Sequence, residues 1–200
     1  MKKTYDTINL IMNGRLVHLY EDAPQDKKDY LVKRVTELKE ELKDYRTKAT
    51  YMYQCNITTS IAVVEYDETH GMSRTEAIEE VNRYMRAFMA PQKEKYAKLF
   101  SKKWLWPLIR VIIPKAMTSA NGKGFETIIV SCPKNELAFD TTVCEFNTVL
   151  REKGMTELGC MYCALDDYMY GDLPGFRFVR QGTLCRGQEK CDFRFVREEK

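Results

Sequence analysis

Phe125-Glu126-Thr127-Ile128-Ile129-Val130-Ser131-Cys132, Pro133-Lys134-Asn135 and Glu136-Leu137-Ala138-Phe139-Asp140-Thr141 together decide the fold class. The first run is short and β-branched, the middle three residues form a turn, and the last run is extended again. That pattern predicts a hairpin. Asn121-Gly122-Lys123-Gly124 precedes it and marks a boundary between layers more than a linker.

Upstream of this boundary the hydrophobic period is helical. Residues 27–48 are charge-rich and carry Leu31, Val35, Leu38, Leu42 and Tyr45 at three- and four-residue steps, which predicts an amphipathic helix. A second helix is expected over 51–69, stopping at Gly71, although its Thr and Val content is unfavourable. Ser73-Arg74-Thr75-Glu76 is a capping box, in which hydroxyl and carboxylate satisfy each other's free backbone donors. The helix it opens carries Ala77, Ile78, Val81, Tyr84, Met85, Phe88 and Met89 on one stripe, a core-packing pattern.

Downstream, Thr142-Val143-Cys144-Glu145 reads as a second capping box, opening a helix that ends near Gly154. Another helix follows from Thr156 to about Tyr170 despite Gly159. Strands are expected over 176–183 and 191–197, joined across Arg186-Gly187-Gln188. The expected fold is α+β: a helical N-terminal half packed on a C-terminal antiparallel sheet with two further helices. It is read as a single domain over 1–200, mainly helical over 1–120 and α+β over 121–200.

Two hundred residues, 44% hydrophobic and 30% charged, fit one large globular domain. The net charge of +3 is small and both signs are read as mixed along the chain, so no nucleic-acid footprint is expected. Lys27-Lys28, Lys33-Arg34 and Lys102-Lys103 are read as solvated helix faces that alternate with acids. No apolar run follows Met1-Lys2-Lys3, so the chain is expected in the cytoplasm. The run from Trp104 to Pro114 is too short to span a bilayer and contains Arg110. It either rests on a membrane surface or forms a buried or half-buried helix entered through Pro107.

Five of the seven cysteines lie between Cys144 and Cys191, and a cytoplasmic chain of this size needs no disulfide framework. With Thr142 as N-cap, Cys144 falls in the first helical turn, where free N–H groups favour a thiolate. Glu145 beside it opposes that shift, and a buried inert thiol is the bland alternative. Cys163 and Asp166 share a helix face, so the acid could hold a water or shuttle a proton; a core cysteine beside an exposed acid is the alternative. Cys160-Met161-Tyr162-Cys163 has CxxC spacing but no matching second pair, and His18 and His70 lack ligand spacing. No metal and no cofactor is therefore expected. Arg180 shares a face with Phe176 and Phe178 and needs a partner there, either an anionic ligand or a buried salt bridge. Cys191 points inward with Phe193 and Phe195, while Asp192 and Arg194 point away.

From about Phe125 to Phe195 these residues carry a resemblance. The extended segment into Cys144, Gly154, Glu157-Leu158-Gly159, Cys163 to Asp166, Pro174, Arg180, Thr183-Leu184, Gly187 and Cys191-Asp192-Phe193-Arg194-Phe195 resemble the L-2-amino-thiazoline-4-carboxylic acid hydrolase family. Cys160 and Cys185 look like additions to that pattern. A looser likeness in C-terminal glycine and cysteine placement is to vinyl-4-reductase-type ligand-binding domains. The first resemblance implies hydrolytic opening of a 2-amino-thiazoline ring to an N-carbamoyl cysteine. On that reading Cys144 is the nucleophile, Asp166 the acid/base, and Cys163 and Cys191 line the pocket. Arg180 then meets the carboxylate of a small-molecule substrate, with Thr183 at the same binding site. A binding module without turnover and a Cys-ligated metal protein stay open, as does a homo-oligomer.

Overall fold

The computed structural model describes residues 2–43 and 51–198. Its contacts divide into two compact units, Met1–Met89 and Ala90–Lys200. Tyr45 and the end of the helix expected over 27–48 lie outside the described residues.

The first unit holds α1 (Lys2–Met12), α2 (Val17–Asp22), α3 (Gln25–Glu41), α4 (Tyr51–Thr69) and the start of α5 (Arg74–Phe100). α3 buries Leu31, Val35 and Leu38, as its spacing requires. Every residue of α4 from Cys55 to Val64 is buried, which explains its lack of a polar face: a helix enclosed on all sides has no solvent side to specify. The Ser73 capping box is formed. Ser73 N donates to Glu76 Oε2 at 2.8 Å and Glu76 N to Ser73 Oγ at 3.3 Å. α5 then buries Ala77, Val81, Met85 and Met89 on the expected stripe.

Two readings of the charged faces change. Lys27 is buried and its Nζ lies 2.7 Å from Asp67, a pairing that a buried ammonium requires and that lies forty positions away in sequence. Lys102 and Lys103 do not alternate with acids, because Glu94 is the sole acid between residues 91 and 123.

In the second unit, α6 (Trp106–Thr118) is entered through Pro107, where a missing N–H does no harm. The hairpin is β1 (Phe125–Ser131) and β2 (Glu136–Cys144), followed by α7 (Glu145–Glu152), α8 (Thr156–Tyr170), β3 (Phe176–Val179) and β4 (Cys191–Arg197). The strands form one antiparallel sheet in the order β1-β2-β4-β3. α6 and the sheet share a core of Trp106, Leu137, Phe139, Leu173, Phe176 and Phe195. Trp106 also donates its indole N–H to Lys134 O at 2.7 Å, satisfying the one polar atom it buries. The α+β class is as expected, with the antiparallel sheet C-terminal.

Two local expectations fail. The strand expected to reach Thr183 stops at Val179, because Asp192 on β4 takes the amides of Gln181 and Gly182 at 3.0 and 2.7 Å. The second capping box does not form. β2 runs on through Cys144, which pairs with Phe125, so Cys144 itself is the N-cap of α7 and no side chain caps it. Among the described residues no helix is long and apolar enough to cross a membrane.

Candidate functional site

Five segments of the second unit contribute polar chemistry: the end of β2, α8, the loop after β3, the 3-10 turn Leu184–Arg186 and the start of β4. Cys163 on α8 is their common centre. Thiol hydrogen bonds from Cys185 and from Cys191 pull its pKa well below the ordinary thiol value, against burial, and Thr183 and Arg180 add to the effect. The same bonds push Cys185 and Cys191 up. A cluster of three thiols beside a guanidinium favours ionisation of one of them, and the direction of the shifts points to Cys163. Cys191 Sγ also accepts from Leu184 N at 3.3 Å, and the Cys160 thiol donates to the Cys185 carbonyl at 3.4 Å, so one neighbour of Cys163 is held at its sulfur and the other at its backbone.

Arg180 braces this centre from below. Its side chain is only 3% exposed, and its Nη2 donates to Cys163 O at 2.6 Å and lies 2.7 Å from Asp167 Oδ1. Nη1 donates to Asp166 Oδ2 at 3.1 Å. The guanidinium lies over Phe178 and Phe193, 5.7 and 5.3 Å from their centroids. Of its two readings, the buried salt bridge is what the geometry displays.

Asp166 is one turn along α8 from Cys163. Its side chain keeps 40% of its surface, yet protein crowds the carboxyl on its inner side. That loss of water raises its pKa to about 7; Arg180 opposes the rise and the Cys163 charge supports it. The open edge weakens such a shift, and the upward direction follows from both the crowding and the two neighbouring negative charges. A carboxyl with a raised pKa one helical turn from a thiol with a lowered one has the makings of an acid/base pair.

Cys144 behaves differently from expectation. The amides of Asn147 and Phe146 do favour its thiolate, but burial outweighs them and pushes the thiol up to about 11. Cys163 and Asp166 raise it further, which puts Cys144 within electrostatic reach of the cluster. The helix N-terminus thus supplies the predicted term, and desolvation reverses the result. Asp192 and Arg194 lie outside the cluster: Asp192 ties down the 181–182 turn, and Arg194 reaches Asp140 at 2.7 Å.

Among the described residues no group of three or more His, Cys, Asp or Glu is arranged to hold a metal ion. The first unit has an open groove of about 620 Å³ between α1, α2 and α3, with Tyr20, Asp29, Lys33 and Glu37 among its lining residues. Its charges are mixed and it holds no thiol, so the reactive groups of the second unit define the candidate site.

The sequence model of the L-2-amino-thiazoline-4-carboxylic acid hydrolase family matches residues 31–195. The chain belongs to that family. The match takes in α3 to α6 as well as the motif-bearing segment from Phe125, so family membership includes helices whose residues carry no short motif. No curated protein matches the chain. Two solved structures are distantly similar. One is an Fe(II) unliganded H-NOX protein from K. algicida, 10% identical over 78% of this chain and 76% of that one, with a TM-score of 0.32. The other is an H-NOX domain from Shewanella oneidensis in the Fe(II)CO ligation state, 11% identical over 86% and 95%, with a TM-score of 0.31. Likeness at that level carries no argument about this member of the hydrolase family.

Sequence reasoning left two neighbours of Cys163 and Arg180 unassigned. Cys185, read from the sequence as an addition to the resemblance, is the largest cause of the lowered Cys163 pKa. Its signal was Gly159: a Cβ there would come within 2.9 Å of Cys185 Sγ, so the glycine inside α8 marks a close approach. Asp167 was passed over beside Asp166, although it holds the second side of Arg180.

Proposed function

We propose that the protein hydrolyses a cyclic amidine of the 2-amino-thiazoline type, with Cys163 as nucleophile and Asp166 as acid/base. The carrying observation is the gathering of Cys185, Cys191 and Thr183 around Cys163, with Asp166 one helical turn away and Arg180 bracing both. Family membership supports the substrate class. C2 of the ring bears two nitrogens and a sulfur, so it is electrophilic when the amidine is protonated. Cys163 Sγ adds to C2, forming a C–S bond. The ring C–S bond then breaks, and the departing sulfur takes the Asp166 proton. An S-amidino enzyme remains. Water adds to the same carbon, giving a proton to Asp166, and the Cys163 thiolate leaves as the urea forms.

Arg180 is a positioning residue in this scheme, not the partner of the substrate carboxylate. It fixes the Cys163 backbone and limits how far the Asp166 pKa can rise. Thr183 is buried with a hydroxyl that lacks an ordinary hydrogen-bond partner, which fits a group oriented by the neighbouring sulfur.

The test follows release of a new thiol from a panel of 2-amino-thiazoline acids. Cys163→Ala should reduce turnover on the order of 1000-fold or more, as loss of a nucleophile does, whereas Cys144→Ser should retain it within a few-fold. kcat should fall as pH rises through the Asp166 pKa of about 7, because ring opening needs its proton; Asp166→Asn should flatten that limb. Full turnover in Cys163→Ala would remove the covalent route. Binding without turnover across the panel would make the protein a ligand-binding module.

A further inference from the structure

Residues 91–123 contain eight Lys or Arg against one acid, Glu94, a net +7. The whole chain carries +3, so the remainder carries −4. A modest overall charge thus conceals a strong separation of sign. Lys95, Lys98, Lys102, Lys115 and Lys123 of this segment are exposed.

The same segment presents an apolar face to solvent. α6 turns Trp106, Ile109, Ile113 and Met117 toward the sheet. On the other side Leu108, Val111 and Ile112 are 51%, 54% and 51% exposed, and Trp104, one turn earlier, is 72% exposed. Positions 104, 108, 111, 112 and 115 fall on one helical stripe, which ends in a lysine. Leu99, at the C-terminal end of α5, is also exposed. A contiguous row of large apolar side chains among cations is not ordinary surface. It is the composition of a helix that lies in a bilayer interface, with an indole at headgroup depth and lysines reaching the phosphates. α6 has thirteen residues and spans about 20 Å, short of the ~30 Å hydrocarbon core, so it lies along the surface.

We infer that the outer face of α6, with Trp104 and the surrounding lysines, docks the protein on an anionic lipid bilayer. The sign of the charge selects the occupant: a neutral protein surface would need the apolar row but not the lysines, and a free anion would need the lysines but not the row.

The experiment uses the full chain and vesicles of phosphatidylcholine with or without phosphatidylglycerol, read by co-sedimentation and tryptophan emission. Trp106 is already buried and Trp104 is open, so a blue shift on binding reports Trp104 entering the interface. Binding is expected to the phosphatidylglycerol vesicles, weakened by salt and absent with phosphatidylcholine alone. Lys98→Glu with Lys102→Glu and Lys115→Glu should reduce partitioning on the order of 100-fold. Leu108→Asp with Val111→Asp should abolish it, with far-UV and near-UV circular dichroism unchanged to show an intact fold. No binding at low salt, equal binding to neutral vesicles, or full binding by the aspartate variant would each overturn the proposal. A dimer that the aspartate variant dissociates, with no vesicle binding, would assign the face to a second copy of the chain. Thiazoline turnover in solution is read separately, so either idea can fail alone.

Discussion

Ser73-Arg74-Thr75-Glu76 and Thr142-Val143-Cys144-Glu145 carry the same capping signature, and the protein treats them in opposite ways. Glu76 is exposed and accepts from both the amide and the hydroxyl of Ser73, which holds its carboxyl below the usual range. Glu145 is 3% exposed, both its oxygens lack a hydrogen bond, and burial pushes it up to about 7. The first box follows the free turn at Gly71. The second stands where β2 is still paired with β1 through Val143 and Cys144, so the helix begins only at Glu145 and Thr142 lies too far before it to cap. A local motif holds where nothing larger competes for its backbone.

The contrast can be broken most forcefully at Glu145. Its folded pKa is raised, so the native state keeps a proton that the unfolded chain releases, and stability is lost as pH rises from about 4.5 to about 7. The loss should reach about 3 kcal/mol over that window. Chemical denaturation at a series of pH values should reveal it, and Glu145→Gln should remove it. A flat profile in the parent protein would mean that Glu145 finds a partner after all.

Next in size is Gly124, which lies against Glu145 with φ +87°. A Cβ there would sit 2.9 Å from the Glu145 carboxyl carbon. Gly124→Ala should cost about 2 kcal/mol through strain and contact together, read as a lower denaturation midpoint. Ser73→Ala should lose about 1 kcal/mol, the usual value of an N-cap, and should bring the Glu76 pKa back toward its ordinary value by NMR titration. Thr142→Ala should change stability by less than about 0.5 kcal/mol, as an exposed position with no cap to lose. A Thr142 loss equal to that of Ser73 would restore the second box and contradict the pairing of Cys144 with Phe125.

The legibility of the sequence followed the same division. The spans of α4, α8 and β4 were readable because turn residues bound them, at Gly71, at Gly154 and at Gly187. The Cys163–Asp166 spacing was readable because both lie on one helix. The identity of the thiolate was not, since it depends on Cys185 and Cys191, which approach Cys163 from a turn and a strand more than twenty residues away. Burial of Cys144 stood as the alternative in the sequence but could not be decided there: a helix N-terminus can be recognised from residue types, whereas the protein packed around it cannot. The early end of β3 came from Asp192, whose role depends on which strand lies beside it.

Gly159 gives α8 a tolerance narrower than one methyl group. Its hydrogen faces Cys185 Sγ, and any larger substituent must turn that sulfur aside or shift the segment that carries it. Either response changes the approach of Cys185 to Cys163, the first cause of the lowered Cys163 pKa. The environment of Cys163 is therefore adjustable from a position that bears no functional group, without altering the cysteines themselves.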